Sequence, residues 1–394
     1  MKPPTRGLLQ FLARESSLIV AVCVGSGLAH SGTSTMPFQV GALIDGAGIS
    51  SGQAGLFGLI EVGALALGML LIGQWIDRLP IRTLAVASAL LAASANVALF
   101  LVRAFPVQLL CAAVAGSCFG FVFAATIASA AASDEPDRLY AIGNGGALLL
   151  LMGILTTLPM VAARLGTFGI FAGIAGLAVI SCLFLRWLRP GVRTERQRVA
   201  AWRIRGVPGL LFSWASFSTG TGALYAFSER IGKGIHLSSE TIGVVLSGGL
   251  LVGVVGTLAA AYIAGRINRR RALGFGMLGS GLSCLLLGYA SNLLLFTLGV
   301  FLYWICYMFL YSYLLGSAAQ LDATGRVGTI GGGMERLGYG AGAFIGGLLA
   351  EHAGYSVTGI LGFSGCVLGY LVGFPSLFRA LDGRGAPVAT EQGH

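Results

Sequence analysis

Charge is scarce in this chain. Of 394 residues, 10% are Asp, Glu, Lys or Arg, against 56% that are hydrophobic. Soluble domains carry roughly a quarter charged residues, so a water-exposed globule is excluded at the outset. Signatures of catalysis are missing as well. There is no glycine loop that cradles a phosphate, no Cys/His cluster at metal-ligand spacing and no nucleophile set beside a base. Neither an enzyme nor a bound metal or cofactor is expected, and ATP is not expected to be a built-in energy source. The seven cysteines (Cys23, Cys111, Cys118, Cys182, Cys284, Cys306 and Cys366) fall in apolar stretches and read as small packing residues, not as a disulfide framework. The first apolar run is not expected to be a cleaved signal peptide. It is too long, it carries His30 and Pro37, and it lacks a small-residue cleavage site.

Apolar runs are what the chain has in quantity. Windows of roughly 20 residues, enough to cross a ~30 Å hydrocarbon layer, follow one another nearly throughout. They lie near 17–44, 52–76, 83–102, 105–132, 139–163, 167–188, 208–229, 240–264, 272–290, 293–318, 327–350 and 356–378. Unpaired amides are not tolerated in lipid, so each span must be helical. The fold expected is an all-α membrane protein of twelve transmembrane helices.

The chain is also one unit written twice. His30-Ser-Gly-Thr33 returns as Ser218-Thr-Gly-Thr221, 188 positions later. The same ungapped offset carries Ser50, Ser51 and Gly55 to Ser238, Ser239 and Gly243, and Arg78 and Arg82 to Arg266 and Arg270. A repeat of this length made of spans predicts two pseudo-symmetric six-helix bundles with a site between them. The expected divisions are 1–188 for the first half, 189–206 for a basic linker, 207–380 for the second half and 381–394 for a disordered tail. Glycines at small-xxx-small spacing, such as Gly338-Gly342-Gly346, predict close helix packing.

Orientation follows from arginine and lysine. With both termini inside, the cytoplasmic segments hold twenty of these residues and the other side four, Arg103, Arg164, Arg230 and Lys233. The formal net charge of +10 is thereby assigned to topology and to anionic headgroups of the lipid bilayer, not to nucleic acid.

After the second span the sequence reads Gly73-Gln-Trp-Ile-Asp77-Arg78-Leu-Pro-Ile-Arg82. This resembles the cytoplasmic signature Gly-x-x-x-Asp-Arg-x-x-x-Arg of the major facilitator superfamily, and the six-plus-six repeat is similar to that superfamily over about residues 15–380. The resemblance implies that Gly73, Asp77, Arg78 and Arg82 form a cytoplasmic gate. In the second copy Asp77 is replaced by Gly265, so no symmetric latch is implied there. Gly342-Ala-Phe-Ile-Gly346-Gly347 resembles an antiporter element, but with Ala343 for the proline and in the eleventh span instead of the fifth.

The resemblance further implies that spans one, four, seven and ten line a central cavity. His30 and Thr33 lie in the first of these, Phe119 and Phe123 in the fourth, Thr221 and Tyr225 in the seventh. Tyr303, Tyr307 and Tyr311 recur at i, i+4 and i+8 on the tenth, beside Trp304, so one face presents rings suited to a flat or amphipathic solute. For any single Ser or Thr, bonding back to its own helix is the competing reading, as a headgroup belt is for the tyrosines. Ionisable groups inside the bilayer are costly, at least ~2.5 kcal/mol, and normally face a cavity or a partner. Glu61, Glu335 and Arg336 are such groups, and either proton coupling or a buried ion pair accounts for them. Neighbouring spans in the family suggest Glu61 as the partner of Arg336. His30 reads either as a neutral core histidine or as a proton carrier.

The function expected is secondary active, proton-coupled transport of a small organic solute by alternating access, with efflux of a lipophilic or aromatic compound as the leading reading. Import of an aromatic carboxylate with protons, using Arg336 as counter-charge, is the alternative. A receptor on the same fold is a further one. The expected setting is a multi-pass protein of a bacterial-type inner membrane, acting as a monomer.

Overall fold

The computed structural model describes residues 8–73, 75–133, 135–190, 201–264, 266–322 and 326–385. Its regular structure there is helical. The first repeat contributes α1 (Leu8–Ser34), α2 (Met36–Ala47), α3 (Ser51–Gly73), α4 (Ile81–Leu101), α5 (Phe105–Ala131), α6 (Pro136–Leu165) and α7 (Gly169–Leu185). The second contributes α8 (Val207–Tyr225), α9 (Ser228–Gly234), α10 (Ser239–Ile263), α11 (Arg269–Gly288), α12 (Leu293–Leu321), α13 (Arg326–Leu368) and α14 (Phe374–Gly385). Most of the basic linker and the end of the tail lie outside the described residues.

Among the described residues nine helices are long and apolar enough to cross a membrane. One of them is a merged pair. Gly354, at φ 81° and ψ 173°, breaks α13 between the eleventh and twelfth predicted spans, a left-handed position that favours glycine. The sixth predicted span corresponds to the shorter α7 and the seventh to α8. The first is interrupted. Thr35 separates α1 from α2, with Pro37 in the opening turn of α2, where its missing N–H costs least. The C-terminal helix runs on to Gly385, and Asp382 pairs with Arg270, so ordered helix replaces the expected disorder over 381–385.

Helices approach closely where glycine removes the side chain. Gly338, Gly342 and Gly346 all face α8. A Cβ on them would stand 2.7, 2.1 and 2.7 Å from the carbonyl oxygens of Ala215, Thr219 and Ala223. The two repeats meet along α3 and α13 and along α6 and α10. Gly55 lies against the backbone of Ala343, Gly340 against Leu59, and Gly243 against Leu155.

The repeat survives in packing with its bulk exchanged. On α5, Gly116 receives the backbone of Glu61 from α3, and a Cβ there would sit 1.9 Å from that carbonyl oxygen. The equivalent pair in the second repeat is Gly249 and Trp304, with the small residue now on α10 and the large one on α12. Glu61 is thus placed by the same helix contact that buries Trp304.

Candidate substrate and proton site

Arg336 on α13 joins the two repeats at mid-depth. Its Nη2 lies 2.9 Å from Nε2 of His30 on α1, and its Nη1 donates to Oε2 of Glu335 at 3.1 Å. The hydroxyl of Tyr307 on α12 donates to the other Glu335 oxygen. The His30 tautomer follows from its partners. Nδ1 faces the Ser26 carbonyl at 2.7 Å, an acceptor only, while the guanidinium at Nε2 is a donor only. The ring is therefore neutral, with its proton on Nδ1. This chain of groups ties α1, α13 and α12 together and encloses one negative and one positive charge, both 6% exposed.

The expected partnership of Arg336 is corrected here. Neighbouring spans in the family suggested Glu61, and adjacent helix residues diverge by about 100°. The long arginine side chain folds back instead, and Glu335 is turned by Tyr307 to meet it. Glu61 points elsewhere. Its Oε1 abuts Gly32 of α1, its backbone seats on Gly116 of α5, and Oε2 has no hydrogen-bond partner.

The tyrosines form a stack. Tyr225 and Tyr303 lie with centroids 5.0 Å apart, Tyr303 and Tyr307 at 5.5 Å, and Tyr307 and Tyr311 at 6.3 Å, all near parallel. Trp304 closes edge-on against Tyr225 at 5.4 Å. Across from them, Phe123 meets the His30 ring edge-on at 5.0 Å, with the Arg336 guanidinium 5.3 Å from its centroid. His30, Thr33, Phe123 and Tyr311 keep partial exposure and are the accessible part of this wall.

Other members of the expected cavity are sealed. Phe119 is fully buried with its ring against Gly32, so it fills the α1–α5 contact and lines nothing. Thr221 is also fully buried, and its hydroxyl donates to Phe217 one turn back; Thr33 donates to His30 in the same way. Tyr225 is 2% exposed and its hydroxyl donates to the Ser34 carbonyl at 3.2 Å, which makes it a tie between repeats.

Of the signature after the second span, Gly73 ends α3, Arg78 closes a short helical turn and is exposed, and Arg82 donates from Nε to the Leu188 carbonyl at 2.7 Å. The Asp77 side chain lies outside the described residues. At the opposite end of the bundle is a contact the sequence reading missed. Asp45 on α2 pairs with Arg230 and, at 2.8 Å, with Lys233 on α9, and Lys233 also reaches Glu229 at 2.6 Å. Nearby, Glu351 of α13 accepts from the Gly52 amide at 2.9 Å, capping α3 across the seam. Burial works against the Asp45 carboxylate. The Lys233 hydrogen bond and the charges of Arg230 and Lys233 outweigh it and hold its pKa below the ordinary value. The signal was available: Asp45 and Lys233 are equivalent positions of the repeat, and equivalent positions meet wherever the pseudo-symmetry axis passes.

Paired helical repeats, apolar helices of membrane length and a buried arginine that reaches from one repeat to the other describe a membrane protein built in two halves. Residues 207–393, essentially the second repeat, match the family model of the Major Facilitator Superfamily. Solved structures extend the likeness to both repeats. The nucleoside transporter NupG superposes with a TM-score of 0.73 at 13% identity, over 92% of this chain and 99% of that one. A D-xylose-proton symporter gives 0.73 at 14% identity, over 92% and 98%. A bacterial homologue of the human lysosomal transporter Spinster, inward-facing and unoccupied, gives 0.68 at 15% identity, over 93% and 97%. Among curated proteins none matches the chain.

Proposed function

We propose that this chain is a proton-coupled exporter of a small lipophilic or aromatic solute, with twelve spans and both termini in the cytoplasm of a bacterial-type inner membrane. Residues 15–188 rock against 207–380 about the site between them. The observation that carries the solute class is the neutrality of that site. Glu335 and His30 already engage Arg336, so the wall open to solute is Tyr311 and Phe123, backed by the buried tyrosine stack, with no free charge. Such a wall favours flat uncharged rings over ions. With the Arg78 end inside, the Asp45–Arg230–Lys233 cluster closes the outer side, and solute enters from the cytoplasm past Tyr311 and Phe123. In the opposite state Asp77 and its arginines latch the inner side, a contact present in only one of two conformations. Buried acids supply the proton sites, Glu61 within the first repeat and Glu335 at the solute wall.

A second reading has its own support. A proton on Glu335 loosens its hold on Arg336 and Tyr307, and the freed guanidinium then suits an aromatic carboxylate entering with that proton. Growth of expressing and non-expressing cells separates the two. Export predicts raised resistance to toxic aromatic compounds. Growth on aromatic carboxylates as carbon source, with no change in resistance, establishes import instead.

A further inference from the structure

The cluster at the Asp45 end sets two carboxylates against two cations, and one of the carboxylates is sealed in. The side chain of Glu229, on α9 beyond the seventh span, is 3% exposed, against 32% for Asp45. One Glu229 oxygen, Oε1, meets Lys233 at 2.6 Å, and the other, Oε2, has no hydrogen-bond partner. The carboxylate is pressed onto Gly41 of α2, where no Cβ would fit, so it is buried across the seam between the repeats. Glu229 and Lys233 also line a cleft of about 330 Å³ whose rim carries the exposed residues Thr167, Ser238 and Glu240, a path from the surrounding solution to the carboxylate. Its charged and ionisable surroundings come from several elements. They are Arg230 and Lys233 on α9 itself, Asp45 on α2, Glu240 of α10 on the cleft, and Tyr355 of α13, which also bonds Arg230. The α6 and α7 sides of the cleft are apolar, Pro159 and Ile170 among them; α12 meets α9 through Phe296, and the last turn of α11, Leu285–Gly288, is apolar.

Closing this end changes the surroundings of Glu229 in two ways of the same sign. Water is removed from the carboxylate, and Asp45, a second negative group, arrives on the same ammonium. Each disfavours the charged form. Both are undone when α2 and α9 part, whereas Lys233 stays within reach one turn along the same helix. In this closed arrangement burial comes first and raises the Glu229 pKa above its ordinary 4.5. The Lys233 hydrogen bond and the charges of Lys233 and Arg230 offset only part of that, and Asp45 adds to the rise.

We propose that Glu229 is a proton-binding site of the outer gate, filled through the cleft as α2 closes on α9 and emptied to the same side as they part. Oε2 is the oxygen that takes the proton, since Oε1 keeps Lys233. The assignment rests on the reading that this end is outside and opens and closes. It is independent of the coupling proton, because a proton taken and returned on one side drives no net transport. What it sets is the resting state. A carboxylate that holds its proton more tightly in the closed form favours closure at low pH. That advantage is complete below the ordinary 4.5 and is lost as pH rises through the raised value. Acid outside therefore keeps the outer end shut and presents the solute site to the cytoplasm.

Distances between spin labels set across this end, in the purified full chain in nanodiscs without solute, test the site. In wild type the short-distance population should grow as pH falls from about 8 to 5. Glu229→Gln, neutral at every pH, should keep the short distance throughout, while Glu240→Gln should respond as wild type does. Lys233→Met should move the change to higher pH, because Glu229 loses the cation that favours its charge; this arm stands even if Glu229→Gln does not fold. A wild type that opens on acidification or ignores pH, a response that persists in Glu229→Gln, or one unmoved by Lys233→Met overturns the site. Asp45→Asn separates that failure from failure of the gate. If it opens this end while wild type ignores pH, the gate stands and the proton site alone is lost; if it too leaves the distances unchanged, the gate reading falls with the site.

Discussion

Arg336 shows how far single residues could be read. That Glu61, Glu335 and Arg336 lie deep in spans was legible from position alone, because charge inside an apolar run is rare and conspicuous. Which of them touch was not legible. Partnership depends on the rotation of α3 and α13 about their axes, and Gly116 and Gly32 fix that rotation for Glu61 by letting it turn into its own repeat. Thr221 and Thr33 were similarly ambiguous, since a hydroxyl can face a cavity or its own helix, and both bond back. A prediction belongs at this scale. Arg336→Leu leaves the buried Glu335 carboxylate with Tyr307 alone, and breaking one side of a buried pair costs about 3–5 kcal/mol. Thermal unfolding in detergent should drop accordingly, with partial recovery at low pH, where the orphaned carboxylate can be protonated. The double variant with leucine at 335 and 336 should regain most of the loss. Equal destabilisation of single and double variants would show that the pair is not the unit described.

Elements were the most legible scale, since apolar length dictates a helix wherever lipid denies the backbone a partner. The predicted windows fall on the helices of the fold, and where they differ the cause is local. Pro37 marked the break in the first span, but the junction at Thr35 is set by Gln39, whose bonds to Gly32 and Thr35 span seven residues. Packing of elements gives a second prediction. Gly116→Ala puts a methyl group 1.9 Å from the Glu61 carbonyl oxygen, and because that obstacle is backbone, α3 and α5 must part. Overpacking of this kind costs about 1–3 kcal/mol. Gly153→Ala, on α6 with open space around it, should be neutral or more stable by up to about 1 kcal/mol, because alanine favours helix over glycine. Unfolding temperatures of the two variants provide the comparison, and equal behaviour would remove the close contact from the account.

For the whole molecule, the twofold repeat was plain in the sequence and the state of the transporter was not. Conformation depends on which of two sets of cross-repeat contacts is made, and those involve residues distant along the chain. Asp45 and its partners close one end in this conformation. Asp45→Asn should therefore favour opening at that end, whereas Asp77→Asn should favour opening at the Arg78 end. Spin labels placed across each end would register opposite distance changes in the two variants, and changes of the same sign would retire the two-gate scheme. The pH dependence of the Asp45 contact has a definite sign. A lowered carboxylate pKa means that the contact is complete above the ordinary value of 3.8 and is lost only as pH falls through the lowered one. For Lys233, burial opposes the charge, but the bonds to Asp45 and Glu229 prevail and raise its pKa above 10.5, so its share persists until strongly alkaline pH. Asp45 and Lys233 themselves thus keep their charges between about pH 5 and 8, so a spin-label distance at that end that changes within this window points to Glu229, the other carboxylate on Lys233, or to the buried acids.

Transport driven by an imposed pH gradient tests the central claim most directly. Proteoliposomes containing the purified chain would be loaded with a radiolabelled aromatic compound drawn from the resistance screen, and its movement followed after an acid or alkaline jump outside. Solute should move against its own gradient in wild type. It should cease to do so in Glu61→Gln while exchange of labelled for unlabelled solute continues, because exchange needs no net proton movement. Wild-type flux that is indifferent to both the pH gradient and the membrane potential would contradict the account and leave a passive facilitator.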